Sequence, residues 1–411
     1  MRILVIDEGL YVTQAEALSD NGKNEVVYCT NWQAVSPEYK NYAPGVNYKK
    51  LKKELYFFDW IEKADCVVNF DVPDNDLIAF LKRTFPKKSI YGSGHGEKLE
   101  NDRWKLKEWI KTLGLPLQKS VKITGITALR THLKTNKDKY IKINIFRGDR
   151  ESFYSKDAEM VDLILDKLAL VYGPHKEEIV FIVEDLIDTD VEIGCDLFFN
   201  GTDYLTPMII GYEYHKNMYL GKVVDKLPKP LQETIDAFKP LLAKIDYRGA
   251  ISTEEKIKSE KEHYFIDLCA RIPNPLGTGY PIWIKNWPEL VYKIGKGEAV
   301  KPNIPYKYLG AIALKTKEAL TDYVRIDIKK GKEGQIVPIM CCMHDNKLYA
   351  CKGNDEVVVL VAGGQSVDDV LKQLKDLGQY VEAEGLDKDT LNGIDKIKDI
   401  IAAGKKVGID F

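Results

Sequence analysis

The chain has 411 residues, 45% of them hydrophobic and 30% charged, with a formal net charge of -2. That length exceeds one ordinary hydrophobic core and predicts two or three domains, in a composition typical of globular proteins. The near-neutral charge and the lack of a long basic block give no support for nucleic acid or a membrane surface as partner. The opening MRILVIDEGL carries one Arg and a short apolar run, too short for a signal h-region or a membrane span. Seven scattered cysteines without a CxxC pair suggest reduced thiols, and a cytoplasmic protein is expected.

Residues 1–98 alternate strand and helix. RILVID (2–7) is a predicted strand, 12–22 a helix ended by Gly22, and 24–31 a strand. DCVVNFD (65–71), a helix over 74–85 and SIYG (89–92) continue the pattern. Such alternation indicates a parallel sheet with helices on its faces. A helix over about 97–113 is stopped at Gly114 and Pro116. From 117 to 300 longer, hairpin-like strands are expected: Asn200-Gly201 separates GCDLFF from YLTPMII, and a polar stretch separates STEE from YFIDLC. KPNIP (301–305) reads as a connector. After 306 come GAIALKT, YVRIDI, IVPIMCCM, KLYACKG and EVVVLVAGG as short strands. A helix capped by Ser366 then carries Val367, Val370, Leu371, Leu374 and Leu377 at helical spacing.

The residues that carry chemistry lie between 139 and 271. Lys142 alternates with Ile141 and Ile143 on a short strand, so it points away from two apolar neighbours. Glu184 ends the strand IVFIVEDL, and Glu192 follows closely. Glu254 and Asp267 flank a polar turn; if the hairpin closes near 258–262, they face each other closely enough to share a cation. Arg271, four residues past Asp267 and before a Pro-Asn-Pro bend, can overhang the same place. Cationic side chains from separate strands and carboxylates paired on neighbouring strands are what a magnesium-bound triphosphate requires. Each residue also has an ordinary reading: a strand lysine that snorkels, or acids exposed at strand ends. The glycines of Gly92-Ser93-Gly94-His95-Gly96 follow the last strand of their region, against a dinucleotide loop, and no GxxxxGK[ST] loop exists.

The segment YGSGHGEKLENDRWKLKEWIKTLGLPLQ, with the order Lys142, Glu184, Glu192, Glu254, Asp267 and Arg271, resembles the ATP-grasp superfamily over roughly residues 1–380. Within it the chain is most similar to the phosphoribosylamine–glycine ligases. The resemblance implies a mixed α/β protein: a Rossmann-like domain over 1–98, an ATP-grasp domain over 99–300 and a small C-terminal α/β domain over 301–411. ATP would bind between the two halves of 117–300. Arg103 and Lys142 fall where relatives contact phosphates. Glu184, Asp185, Leu186 and Ile187 would form the adenine hinge, and Glu192 would meet the ribose. Glu254 and Asp267 would bind Mg²⁺, with Mn²⁺ an alternative. Arg271 and Lys142 would be catalytic, and His215, Lys216 and Asn274 would face substrate.

Three departures from the family pattern concern the metal and the substrate. Cys269 replaces the usual metal-motif asparagine, and a thiol is a poor partner for Mg²⁺, so a second metal is absent, displaced or held through water. DEGLYVTQ lacks the glycine-rich phosphate loop of the phosphoribosylamine ligases, and Pro273-Asn274-Pro275-Leu276 replaces their Gly-Asp-Pro-Glu. The expectation is therefore an ATP-dependent carboxylate–amine ligase joining an amino acid such as glycine to an amine, as a monomer or homodimer. A true phosphoribosylamine–glycine ligase, a non-catalytic ATP-binding module and, on the opening α/β pattern alone, a dinucleotide-dependent oxidoreductase stand as alternatives.

Overall fold

The computed structural model describes residues 1–411 except 33, 36–41, 47–49, 146–151 and 215–216. His215 and Lys216, expected to face substrate, therefore lie outside the described residues. Four sheets organise the described residues. The first is wholly parallel, in the order Lys52–Glu54, Glu25–Cys29, Arg2–Ile6, Cys66–Val68, Ser89–Tyr91. Its three middle strands are near-continuous apolar runs because both faces are covered, whereas the edge strand Lys52–Glu54 is charged and partly exposed. The order reverses direction at Arg2–Ile6, so a crevice opens beyond the carboxyl ends of that strand and its neighbours.

The second sheet is antiparallel, in the order Ser120–Thr124, Val180–Asp185, Lys139–Ile143, Ser152–Tyr154. The helices Ile126–Thr135 and Ala158–Tyr172 cover one face, burying Leu129 and Leu165 against Ile141, Ile143 and Phe181. The third sheet has eight strands, in the order Glu262–Cys269, Arg248–Ser259, Glu192–Asn200, Met208–Tyr214, Met218–Val224, Tyr308–Lys315, Glu356–Gly364, Ile336–Pro338. It runs on across residue 300, so chain from both sides of the expected connector builds one sheet. A fourth sheet draws Tyr42–Pro44 from the first hundred residues onto four strands from beyond 320. Among the described residues no helix is long and apolar enough to cross a membrane.

Several elements differ from expectation. The helix over 97–113 is split at Asp102 into Lys98–Asn101 and Arg103–Thr112. Asp102 leaves helical geometry (φ -125°, ψ 88°) and its carboxylate accepts the Lys105 N–H, so it caps the second segment. The run IVPIMCCM breaks at Met340, which takes φ 43°, and its halves join different sheets. The expected helix over 12–22 ends at Ala17, followed by one turn containing Asn21 at φ 55°. The hairpin at Asn200-Gly201 forms, bridged first at Phe199 and Tyr204, so the connection is wider than a two-residue turn, and continuous pairing begins at Asp196 and Ile209. Inside 117–300 the helices Lys229–Lys244, Trp287–Lys296, Ile126–Thr135 and Ala158–Tyr172 were not anticipated. The first buries Leu231, Ile235, Phe238 and Leu242, a helical stripe that the surrounding strand pattern obscured.

The break at Asp102 is also what aims Arg103. Asp102 Oδ1 accepts from Asn144 Nδ2 at 3.1 Å, and Trp104 N–H donates to Asn144 Oδ1 at 2.7 Å, tying the helix start to the second sheet. Asp102→Ala removes the cap and one of these ties. It should cost about 0.5–2 kcal/mol, checked by urea unfolding; an unchanged midpoint would contradict the capping role.

Candidate active site

Alternation along the third sheet gathers one set of side chains on one face. Register places Glu192 opposite Lys256, Gly194 opposite Glu254, and Asp196 opposite Ser252. On the next strand Glu254 lies opposite Asp267 and Ser252 opposite Cys269. The intervening residues, among them Ile193, Cys195 and Leu197, point into the core behind the sheet. The hairpin turns at Ser259–Glu262, close to where the sequence puts it, and brings the two carboxylates face to face.

Lys142 reaches this face from the second sheet. Its neighbours Ile141 and Ile143 pack against the helices, and its Nζ donates to the Ile266 carbonyl at 3.2 Å, spanning the gap between sheets. Glu184, only 2% exposed, sits beneath it at 3.6 Å and takes a second ammonium, Lys107, at 2.6 Å. Burial pulls the Lys142 ammonium down, but the Glu184 and Asp267 carboxylates more than reverse this, leaving it above the usual lysine value. Lys107 has the opposite balance: burial dominates and lowers it despite Glu184. Arg103 Nη1 donates to the Ile143 carbonyl at 2.8 Å, and its Nη2 lies 4.0 Å from Asp267.

These residues line a cavity of about 450 Å³, a size suited to a cofactor or small substrate. Arg103, Lys142, Glu184, Asp185, Leu186, Ile187, Glu192, Glu254, Asp267, Arg271 and Asn274 all border it, so the structure brings together every expected site residue among those described. Some are engaged otherwise than the sequence implied. Glu184 turns its carboxylate to the two lysines, leaving the backbone of Asp185–Ile187 along the cavity wall. Asn274 donates to Glu356 at 2.7 Å. The glycines from Gly92 to Gly96 do not border the cavity; Gly96 packs where an added Cβ would lie 2.4 Å from the Tyr247 ring.

Sequence reasoning missed Lys107, Glu100 and Gln118. Lys107 lies one helical turn after Arg103 and so shares its face, a signal available from spacing alone. Glu100 holds Arg271 at 3.1 Å and accepts the Ala270 N–H at 2.7 Å. Arg271 also donates to the Tyr11 hydroxyl at 2.9 Å and lies 3.5 Å from Asp71, contacts no local pattern reveals.

Burial, then the Glu213, Asp267 and Glu192 carboxylates, push Glu254 well above the ordinary glutamate range against the pull of Lys142. Such mutual repulsion is what a divalent cation relieves. Among the described residues no three His, Cys, Asp or Glu side chains form a metal cage. Two facing carboxylates nevertheless fit Mg²⁺, which takes one or two carboxylates and completes its shell with phosphate and water.

The arrangement of the sheets is the ATP-grasp fold. No protein-family model matches the sequence, and no curated protein matches it. Solved structures with the same fold include phosphoribosylamine–glycine ligase from Thermotoga maritima, 16% identical, with a TM-score of 0.66 over 94% of this chain and 98% of that one. The biotin carboxylase domain of Hydrogenobacter thermophilus 2-oxoglutarate carboxylase, bound to MgADP, ADP and bicarbonate, is 12% identical with a TM-score of 0.67, covering 100% of this chain and 98% of that one. An L-amino acid ligase from Bacillus licheniformis is 12% identical with a TM-score of 0.61 over 93% and 98% of the two chains.

Glu184 should be the electrostatic keystone of the cavity. Glu184→Leu leaves Lys107 and Lys142 buried without their shared carboxylate, a loss that typically costs about 3–5 kcal/mol. Chemical denaturation of the variant checks this; a loss below about 1 kcal/mol would show that the pair is readily hydrated.

Proposed function

We propose that the protein is an ATP-dependent carboxylate–amine ligase that works through an acyl phosphate and releases ADP and phosphate. The observation that carries this reading is the cavity in which Arg103 and Lys142 face the Glu254–Asp267 pair, with Arg271 on its border. In this reading the units 1–98, 99–300 and 301–411 are kept, the last two joined by the third sheet that crosses residue 300, and ATP lies between the second and third sheets. The backbone of Asp185–Ile187 meets the adenine, Glu192 the ribose, and Arg103 and Lys142 the phosphates.

A carboxylate oxygen attacks the γ-phosphorus and the bond to the ADP oxygen breaks. The amine nitrogen then attacks the acyl carbon, the C–N bond forms, the C–O bond to phosphate breaks, and the nitrogen loses a proton. Fixed cations stabilise charge as it develops on the phosphoryl oxygens. Magnesium, held by Glu254 and Asp267, would neutralise charge on the phosphates. Cys269, opposite Ser252, leaves any further coordination to water. Arg271, held in place by Glu100, Asp71 and Tyr11, is pre-aimed and needs little reorganisation.

Phosphate release from ATP, measured across a library of small carboxylates crossed with amines, tests the reaction. Release that requires both an acid and an amine, with the condensed product seen by mass spectrometry, is the expected result. Tight ATP binding with no turnover on any pair would make the protein a nucleotide-binding module.

Two substitutions separate roles within this reading. Lys142→Ala should lower turnover by about 10²–10³, the usual loss for one transition-state donor; unchanged turnover and ATP affinity would remove Lys142 from the mechanism. Arg271→Lys keeps the charge and loses the planar fork. Steady-state kinetics should show turnover falling by more than ATP affinity, and the reverse would make Arg271 a ground-state binder.

A further inference from the structure

The guanidinium of Arg271 is tied on one side and open on the other. Its Nε donates to Glu100 at 3.1 Å and lies 3.5 Å from Asp71, while Nη1 donates to the Tyr11 hydroxyl at 2.9 Å. Nη2 makes no hydrogen bond to a described residue. Arg271 borders the nucleotide cavity and a second chamber of about 540 Å³ that shares its wall, so Nη2 is the arm left for a ligand.

Glu100 and Asp71 supply charge, which attracts a guanidinium over a range of angles. Tyr11 adds direction. Its hydroxyl has one proton, donated to the Ile272 carbonyl at 2.6 Å, so toward Arg271 it can only accept. The phenol therefore bridges the Arg271 side chain to the backbone of the next residue, which limits how the guanidinium can turn. Tyr11 is itself held firmly. It is 1% exposed, its ring meets Phe70 edge-on at 6.1 Å between centroids, and its N–H donates to Asp7 Oδ2 at 3.1 Å. The same oxygen accepts the Gly9 N–H at 3.1 Å and the Tyr28 hydroxyl at 2.6 Å, just past the strand Arg2–Ile6. Gly9 turns the chain there at φ 99°, where an added Cβ would lie 2.6 Å from Trp32 and from Val35. Tyr11 lines neither chamber, so whatever it does at the site passes through Arg271.

We infer that Tyr11 is a positioning residue of the ligase, its hydroxyl setting the Arg271 guanidinium so that Nη2 meets the phosphoryl group in transfer. The inference rests on the ligase reading and deepens it: the loop that ends the central parallel strand acts on a site it does not line.

Calorimetric titration of the full-length protein with Mg·ADP, alone and with aluminium fluoride as a mimic of the phosphoryl group in transfer, tests this. The wild type should bind Mg·ADP more tightly with aluminium fluoride than without it. Tyr11→Phe should cut that gain by roughly tenfold and leave the affinity for Mg·ADP alone within about twofold, with circular dichroism confirming the fold. In the Arg271→Lys background Tyr11→Phe should cost little more, since both substitutions disrupt one interaction. A full gain retained in Tyr11→Phe, equal weakening of both titrations, or losses that multiply in the double variant overturns the inference and leaves the ligase reading in place. A wild type that binds Mg·ADP yet gains nothing from aluminium fluoride does the same. Failure of Mg·ADP itself to bind removes both.

Discussion

One buried carboxylate organises the meeting of the two sheets. Glu184 has almost no contact with solvent and faces two ammonium groups, Lys107 on a helix and Lys142 on the neighbouring strand. Taking three charges out of water is costly, and their mutual attraction offsets that cost only while all three stay in place. Lys142 then extends beyond Glu184 to the carbonyl of Ile266 and toward Asp267, so the charge arrangement of one sheet is continued by the other. Arg103 repeats the pattern from the helix start, between the Ile143 carbonyl and Asp267. The cavity is therefore electrostatically prepared: cations on one wall, paired acids on the other, and little freedom for either to turn away.

The acids of the third sheet are the complementary constraint. Strand alternation puts Glu192, Asp196, Glu254 and Asp267 on one face, and Glu213 joins them from a further strand. Side chains of one sign so close together repel, as the upward displacement of Glu254 records. The face is stable because the opposite side of the sheet is a continuous apolar core, so the sheet tolerates a costly polar surface where ligands would neutralise it. Magnesium with phosphate would take up part of that task.

Much of this was legible in the sequence, and the reasons are local. Lys142 between two isoleucines, and Glu254 and Asp267 spaced about a polar turn, need only the two-residue period of a strand to be placed. The parallel first sheet followed from strand–helix alternation. What was not legible depends on distant contacts or on a single backbone angle. The break at Asp102 looks like ordinary helix until Asn144 is seen beside it, whereas the turn at Met340 follows Pro338, where the strand Ile336–Pro338 ends, a local signal the sequence reading passed over. Arg271 is flagged by its position after Asp267, but its restraint by Glu100, Asp71 and Tyr11 joins residues more than 170 positions apart. The helix Lys229–Lys244 was masked by the strands around it, although its apolar spacing is regular.

The central claim is that nucleotide binds between the second and third sheets, with its phosphates between Lys142 and the Glu254–Asp267 pair. A crystal structure with magnesium and a non-hydrolysable ATP analogue tests this most directly. The account predicts the adenine along the backbone of Asp185–Ile187, the phosphates within hydrogen-bond reach of Arg103 and Lys142, and magnesium bound by Glu254 and Asp267. Nucleotide found instead in the crevice beyond Ile6, at the carboxyl ends of the parallel strands, would contradict it.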